Sequence, residues 1–190
     1  SGTVFSETDN ALRIPQQVYS VPGTTDVMVD NSADWSLGGQ DVLGMVFELT
    51  SSTRLEEASF RHPSDVGDEY QFGVYSSAAG AAGPWTLVAS RTIELFGSPE
   101  SSWRSTGPLG IDLDMHLNPS GSSYYMLAVH GAAGMQFGKW TQPIISHSGF
   151  DFGVWQGSQV FSGHSSIPAS LPLSSSLSTF NALALRLATC

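Results

Sequence analysis

Two carboxylates and an imidazole alternate along one short segment, as Asp112, Asp114 and His116. In an extended strand, alternate side chains share a face and neighbours lie about 6.5–7 Å apart. Inverting glycosidases hold their acid and base roughly 6.5–9.5 Å apart, so this face could act on a polysaccharide, bind a sugar or hold a hard cation. Because alternation with Ile111 and Leu113 also describes a plain amphipathic strand, the solvated face is the favoured interpretation. We therefore predict at most glycan contacts here and no catalysis.

Two tryptophans lie in polar stretches and are the aromatic candidates for stacking against a sugar ring, Trp35 and Trp103. Most tryptophans in folded proteins are largely buried, so burial is the competing interpretation for both. The remaining tryptophans lie in strand-like patterns and are expected in the core or at its edge. They are Trp85, Trp140 and Trp155.

A calcium site is predicted where oxygen-bearing side chains crowd one segment, at Asp26, Asp30, Asn31 and Asp34. Calcium takes six to eight oxygen ligands, which carboxylates, amides and backbone carbonyls supply. The last three residues are expected to share a loop, so that their oxygens can converge. Aspartate and asparagine are also common turn formers, and the order of an EF-hand is missing. The acidic loop 65–69 is a weaker candidate for the same ion.

Motifs for nucleophilic, nucleotide or zinc chemistry are missing from the sequence. The nearest approach to a nucleophile elbow is at 163–167, which lacks the second glycine. The histidines are scattered without the spacing of metal ligands. The only cysteine is Cys190, the last residue, which is no place for a preorganised nucleophile. These features predict a protein that is not an enzyme.

Composition excludes several partners. Only 13% of the residues are charged, the formal net charge is -10, and serine occupies 30 positions. A nucleic-acid-binding protein needs a basic surface, and an anionic membrane would repel this chain. Apolar runs such as 126–129 are far too short to span a bilayer. A surface covered by hydroxyl groups more than by charges is typical of extracellular proteins, which predicts an extracellular or cell-surface location.

A period of two in hydrophobicity recurs along the chain, and helical periodicity is almost missing. The cleanest example is 109–117, which a turn at 118–121 separates from the next strand at 123–130, so the two segments are expected to form a hairpin. Other strands are expected at 12–20, 26–30, 42–50, 54–61, 69–76, 85–94, 135–142, 150–161 and 177–188. About ten strands at this spacing predict an all-β, antiparallel β-sandwich of jelly-roll-like topology.

The whole chain, 1–190, is expected to form one domain. A loop rich in serine and proline at 162–176 precedes a strongly apolar last strand, and such a strand needs a sheet to bury it. The chain begins with Ser1 and not with Met, which is typical of a processed or trimmed product whose export signal is not visible. Cys190 is consistent with a truncation point, an intermolecular disulfide or an attachment point.

The order of strands and turns resembles a known family over roughly residues 42–140. The resemblance is carried by the segments 51–60, 70–75, 85–90, 111–113, 117–119 and 123–129. They are similar to the jelly-roll-type β-sandwich domains of secreted bacterial proteins of the PEP-CTERM or "choice-of-anchor" kind. The resemblance implies a secreted or surface-attached domain, and it brings no shared catalytic residues.

Taken together, the sequence predicts a non-catalytic extracellular domain that binds glycans in adhesion or assembles with copies of itself as a homo-oligomer. Two alternatives stay open. One is a polysaccharide-active enzyme on the same scaffold, and the other is a subunit of a surface fibre or viral coat. An enzyme needs acids that converge in a cleft, so the geometry around Asp112 distinguishes these interpretations.

Overall fold

The computed structural model of the protein describes residues 23–27, 33–36, 39–62, 69–94, 102–114, 123–140, 153–178, 182–183 and 185–189. These residues form strands, turns and loops without a helix, so no helix among them could cross a membrane. The strands are β1 (Gly23–Val27), β2 (Ala33–Ser36), β3 (Asp41–Leu49), β4 (Thr53–His62), β5 (Glu69–Ser77), β6 (Trp85–Glu94), β7 (Ser102–Ser105), β8 (Ile111–Leu113), β9 (Tyr124–Gly131), β10 (Gln136–Trp140), β11 (Gly153–Ser162), β12 (Ser170–Leu171), β13 (Ala182–Leu183) and β14 (Leu185–Thr189).

All pairs of neighbouring strands in the described part of the chain are antiparallel. A six-stranded sheet has the order β11-β3-β9-β5-β6-β12, and a five-stranded sheet has the order β1-β14-β4-β7 with β8 also paired to β4. A three-stranded sheet has the order β13-β10-β2. The expected all-β antiparallel sandwich is confirmed.

The inner core lies between the six-stranded sheet and the two smaller sheets. Alternate side chains of β3, β5 and β9 fill it from one side, and residues of β4, β8, β10 and β14 fill it from the other. Its centre is aromatic: the Phe60 ring lies 6.1 Å from Tyr70 and 5.7 Å from Phe72, and Phe137 lies 5.7 Å from Tyr70. Aromatic pairs of this kind add about 0.5–1.5 kcal/mol each beyond the area they bury.

A second core covers the opposite, outer face of the six-stranded sheet. The segment 162–178, called here the covering segment, packs Ile167, Leu171 and Leu177 onto that face. The Tyr75 hydroxyl donates a hydrogen bond to the Pro168 carbonyl at 2.8 Å, which fixes the segment over the middle of β5. The central strand β9 is therefore buried on both faces. Alternate side chains of β9 therefore lie in two different cores, and neither face of this strand is exposed to solvent.

The expected hairpin between 109–117 and 123–130 is wrong. β8 pairs with β4 in the five-stranded sheet, whereas β9 lies between β3 and β5 in the other sheet. β8 and β9 thus belong to different layers, and Leu113 and Leu127 reach the inner core from opposite sides. The Tyr125 hydroxyl joins the layers: it accepts a hydrogen bond from the Asp114 N–H at 3.0 Å and contacts the Asp114 carbonyl at 3.2 Å.

Candidate functional site

The carboxylates of Asp112 and Asp114 lie at the end of β8 and engage neighbours on the protein surface. Asp112 is 79% exposed and lies 3.7 Å from the Arg54 guanidinium, which also contacts Glu56 at 3.0 Å. The Ser52 hydroxyl donates to Asp114 at 3.4 Å. His116 lies outside the described residues. Neither carboxylate lines the two pockets described below.

The predicted calcium ligands fall partly outside the described residues, where Asp30 and Asn31 lie. The backbone places Asp26 in β1 opposite Arg186, and it places Asp34 in β2 opposite Gly138. Asp34 thus belongs to a strand and not to the expected loop, since β2 pairs with β10 along its whole length. Across the part of the chain that the structure describes, no three or more histidine, cysteine or acidic side chains are grouped to hold a metal ion. Calcium binding stays a prediction.

For the tryptophans whose side chains are described, the predicted burial is confirmed. Trp85 is 1% exposed and Trp155 is 7% exposed, so both belong to the core. The backbone places Trp35 in β2 opposite Phe137, and it places Trp103 in β7 opposite Arg61. Trp140 lies in β10. Their role in sugar binding stays a prediction.

Two pockets lie at opposite ends of β5 and β9, which are neighbouring antiparallel strands. Nine residues of β5 separate the two ends, a span of roughly 25–30 Å. The Tyr124 pocket has a volume of about 400 Å³ and is lined by Ser76, Ser77, Ala78, Ala79, Pro84, Thr86, Ser123, Tyr124 and Tyr125. The His130 pocket has a volume of about 620 Å³ and is lined by Gly39, Glu69, Tyr70, Gln71, His130, Gly131, Ala132 and Ser165.

The Tyr124 pocket presents hydroxyl groups, methyl groups and aromatic rings, and its lining carries no charged side chain among the described residues. Thr86 is exposed, whereas Ser77 and Ser123 are buried. The Ser77 hydroxyl accepts a hydrogen bond from the Ala79 N–H at 3.2 Å, which shapes the wall. Burial raises the pKa of the Tyr125 hydroxyl, although its hydrogen bond to the Asp114 backbone works in the opposite direction. The phenol stays neutral.

The glycine-rich tip between β5 and β6 forms one wall of the Tyr124 pocket, and hydrogen bonds from β11 and from the covering segment hold it in place. The Trp85 indole N–H donates to the Gln159 side-chain oxygen at 2.8 Å, and the Gln159 amide donates to the Ala81 carbonyl at 3.0 Å. The covering segment adds a bond from the Ser174 N–H to the Ala82 carbonyl at 2.9 Å. These bonds fix the tip before any ligand arrives, which lowers the entropy cost of binding.

The His130 pocket combines a carboxylate, an amide, an imidazole and a hydroxyl group. His130 Nδ1 lies 3.0 Å from the Asp41 carbonyl. Because a carbonyl oxygen only accepts, Nδ1 carries the hydrogen, and the neutral ring then has a lone pair on Nε2. Tyr70 adds no exposed ring, since its aromatic side chain packs in the inner core against Phe60 and Phe137. Recognition in this pocket therefore depends on hydrogen bonds and charge.

Neither pocket is visible in the sequence. Each one combines residues of β5 and β9, which are distant in the chain, and the His130 pocket also includes the more distant Ser165. The one local signal is the run of alanine and glycine at 78–83, which predicts a tip but not what the tip covers.

Comparisons of the chain with protein-family models, curated proteins and solved structures find no match.

Proposed function

We propose that this protein is a non-catalytic β-sandwich domain that binds neutral glycans in the Tyr124 pocket and acts in adhesion outside the cell. The observation that carries the proposal is the chemistry of the lining, in which serine and threonine hydroxyl groups and Tyr124 accompany small apolar residues and no described side chain is charged. A neutral sugar offers hydroxyl groups that donate and accept, and C–H faces that pack on rings. A pocket of about 400 Å³ lies within the usual range of roughly 300–1,000 Å³ for small-ligand sites.

A binding role fits this pocket better than a catalytic one. General acid–base catalysis most often uses an imidazole or a carboxylate within reach of the substrate, and the described lining holds neither. Asp112, the residue on which the enzyme alternative depends, is exposed and lies near an arginine. The polysaccharide-active enzyme is therefore the less favoured proposal.

A location outside the cell is supported by composition. Charged residues make up 13% of the chain, and 30 serines provide a neutral, hydrated surface. The resemblance to secreted bacterial jelly-roll domains supports the same proposal. Adhesion would follow from glycan binding on a domain displayed at a surface.

The test is a glycan array followed by titration calorimetry, with a variant that fills the pocket. Thr86→Trp places a large ring on an exposed residue of the lining and is expected to abolish binding. Val88→Trp is the matched control, because Val88 is 45% exposed on the same strand and lines neither pocket. The control is expected to bind like the wild type, and both variants are expected to keep the wild-type melting temperature.

An array without any neutral glycan ligand would overturn the proposal. Equal binding by Thr86→Trp and Val88→Trp would move the site away from the Tyr124 pocket.

Self-assembly is a second candidate, and it is favoured by the strand β11 at the end of the six-stranded sheet. Two valines on β11 are exposed, Val154 at 38% and Val160 at 43%. Among the described residues, the outer edge of β11 has one bridge, between Ser158 and Ser178. An edge of this kind can pair with a strand of another copy.

Light scattering over a range of protein concentrations tests self-assembly. A molecular mass that grows with concentration supports assembly, and a constant monomer mass excludes it.

A further inference from the structure

We propose that the His130 pocket is a second ligand site, selective for a sugar that carries a free, positively charged amino group. The site lies at the other end of β5 from the Tyr124 pocket and has a different chemistry. The inference rests on the proposed glycan-binding function for the sugar part of the ligand, and on the charges described next for its ammonium group.

Two carboxylates stand on opposite residues of β5 and β6, and one of them belongs to the pocket lining. Glu69 lines the pocket, and the register of β5 and β6 places Glu94 directly opposite it. Both follow the alternation that sends Tyr70 and Ile93 into the inner core, so both carboxylates lie on the outer face. Neither forms an ion pair with any residue that the structure describes. Like charges directly opposite each other destabilise a strand pair, and a bound cation would relieve that repulsion.

His130 provides a buried acceptor inside the same pocket. The side chain is 6% exposed and lines the pocket, while Nδ1 is held by the Asp41 carbonyl. Nε2 of the neutral ring has no hydrogen-bond partner among the described residues, so a ligand N–H or O–H can donate to it.

Gln71 and Ser165 add groups that suit sugar hydroxyls. The Gln71 side-chain oxygen accepts from the Ile167 N–H at 2.7 Å, which leaves the amide hydrogens of Gln71 as donors. Ser165 is exposed on the pocket wall and can both donate and accept. The balance of acceptors and negative charge favours a ligand with an ammonium group and several hydroxyls, and it disfavours an anion.

The walls of the His130 pocket are held in place by a hydrogen bond and by close packing before a ligand binds. The His164 N–H donates to the Gln40 carbonyl at 2.9 Å, which anchors the start of the covering segment beside Ser165. Gly39 has a φ of +81°, and a Cβ there would lie 2.6 Å from the Ala133 Cβ, so backbone meets backbone closely at this wall. The polar groups surround about 620 Å³ and do not converge as three metal-binding side chains among the described residues. An organic ligand therefore fits them better than a metal ion.

The test compares two probes that differ at the nitrogen: oligomers of glucosamine and the same oligomers with N-acetyl groups, titrated by calorimetry at neutral pH. The wild-type protein is expected to bind the free-amine oligomer at least about tenfold more tightly, which is typical for a hydrogen bond between charged groups. Glu69→Gln is expected to remove most of this preference. Glu57→Gln is the matched control, because it makes the same exchange at a residue that lines neither pocket.

A second variant examines the imidazole without disturbing its anchor. In His130→Asn the amide nitrogen stands near the position of Nδ1 and can still donate to the Asp41 carbonyl, while Nε2 is lost. We expect weaker binding of the free-amine oligomer by about fivefold or more, with an unchanged melting temperature.

Equal affinity for both oligomers, or equal loss in Glu69→Gln and Glu57→Gln, would overturn the inference. So would a polyamine that binds as tightly as the amino sugar, since that would show attraction to the net charge alone. Failure here is distinct from failure of the Tyr124 proposal, which is measured with neutral glycans and with Thr86→Trp. That variant is expected to bind the glucosamine oligomer as the wild type does.

Discussion

Replacing Gln159 by leucine should reveal how the tip of the Tyr124 pocket is held in place. Gln159 is 2% exposed and joins the Trp85 indole N–H, at 2.8 Å, to the Ala81 carbonyl, at 3.0 Å. Leucine has a similar size but no polar atom, so Gln159→Leu leaves both groups without their partner. A buried group without a partner costs about 1–3 kcal/mol. The indole N–H bears the full cost, while the half-buried Ala81 can recover some of it from water. We expect a total loss of about 3 kcal/mol.

The assay is urea unfolding followed by far-ultraviolet circular dichroism, which does not depend on the indole fluorescence. In the Trp85→Phe background the N–H is already absent, so Gln159→Leu should cost about 1–2 kcal/mol less than in the wild type. The matched control is Gln156→Leu on the same strand, because Gln156 is half-buried and its one side-chain bond to another described residue is to the Glu48 carboxylate, at 2.9 Å. That control should cost less than about 1 kcal/mol.

The same variant should weaken binding of neutral glycans, because Ala81 no longer fixes the wall that carries Ala78 and Pro84. A loss below about 0.5 kcal/mol for Gln159→Leu, or additive costs in the double variant, would refute the reasoning. Either result would show that the tip is held by other contacts.

Two further predictions concern tyrosines and the surface of β8. Burial raises the pKa of Tyr70, Tyr75 and Tyr125 above the ordinary value of 10.0, so the folded state holds these protons more tightly than the unfolded chain. Their contribution to the free energy of unfolding is complete below about pH 10 and is lost as the pH rises towards the pKa values of the folded state. Urea unfolding should therefore show a steep decline in stability above about pH 10, and Tyr75→Phe should make this decline shallower. An equally steep decline in Tyr75→Phe would contradict the prediction. Asp114→Ala should shift stability by less than about 0.5 kcal/mol, because the Ser52 hydroxyl donates to its side chain over a long distance of 3.4 Å and the Tyr125 hydroxyl binds its backbone. A fall of several degrees in melting temperature would contradict this.

Local sequence was sufficient for the kind of element and for many of its buried residues. Alternation in β3 and β9 predicted strands, and strand-like surroundings predicted burial of Trp85 and Trp155. The exposed Asp112 also follows from alternation with the apolar residues of β8. These features depend on the pleat of a single strand, which sends neighbouring side chains to opposite sides wherever that strand lies.

Partners of each strand were decided only by the tertiary structure. The short turn after β8 suggested a hairpin with β9, yet β8 pairs with β4, since a brief connection serves equally well to cross between layers. A period of two indicates which side chains share a face but not what covers that face. The covering segment, 162–178, largely coincides with the serine- and proline-rich loop predicted at 162–176, and its few apolar residues bury the outer face only once the sheet exists.

The candidate sites depend most strongly on tertiary structure. Glu69 and Glu94 stand in separate strands, and only the register of β5 and β6 places their charges opposite each other. His130 alternates with core residues like any member of β9, and it acquires an acceptor at Nε2 because a carbonyl from β3 holds Nδ1. Strand formation is a local property of the chain, whereas each pocket needs walls from distant segments, and only the packing of the sheets brings these segments together.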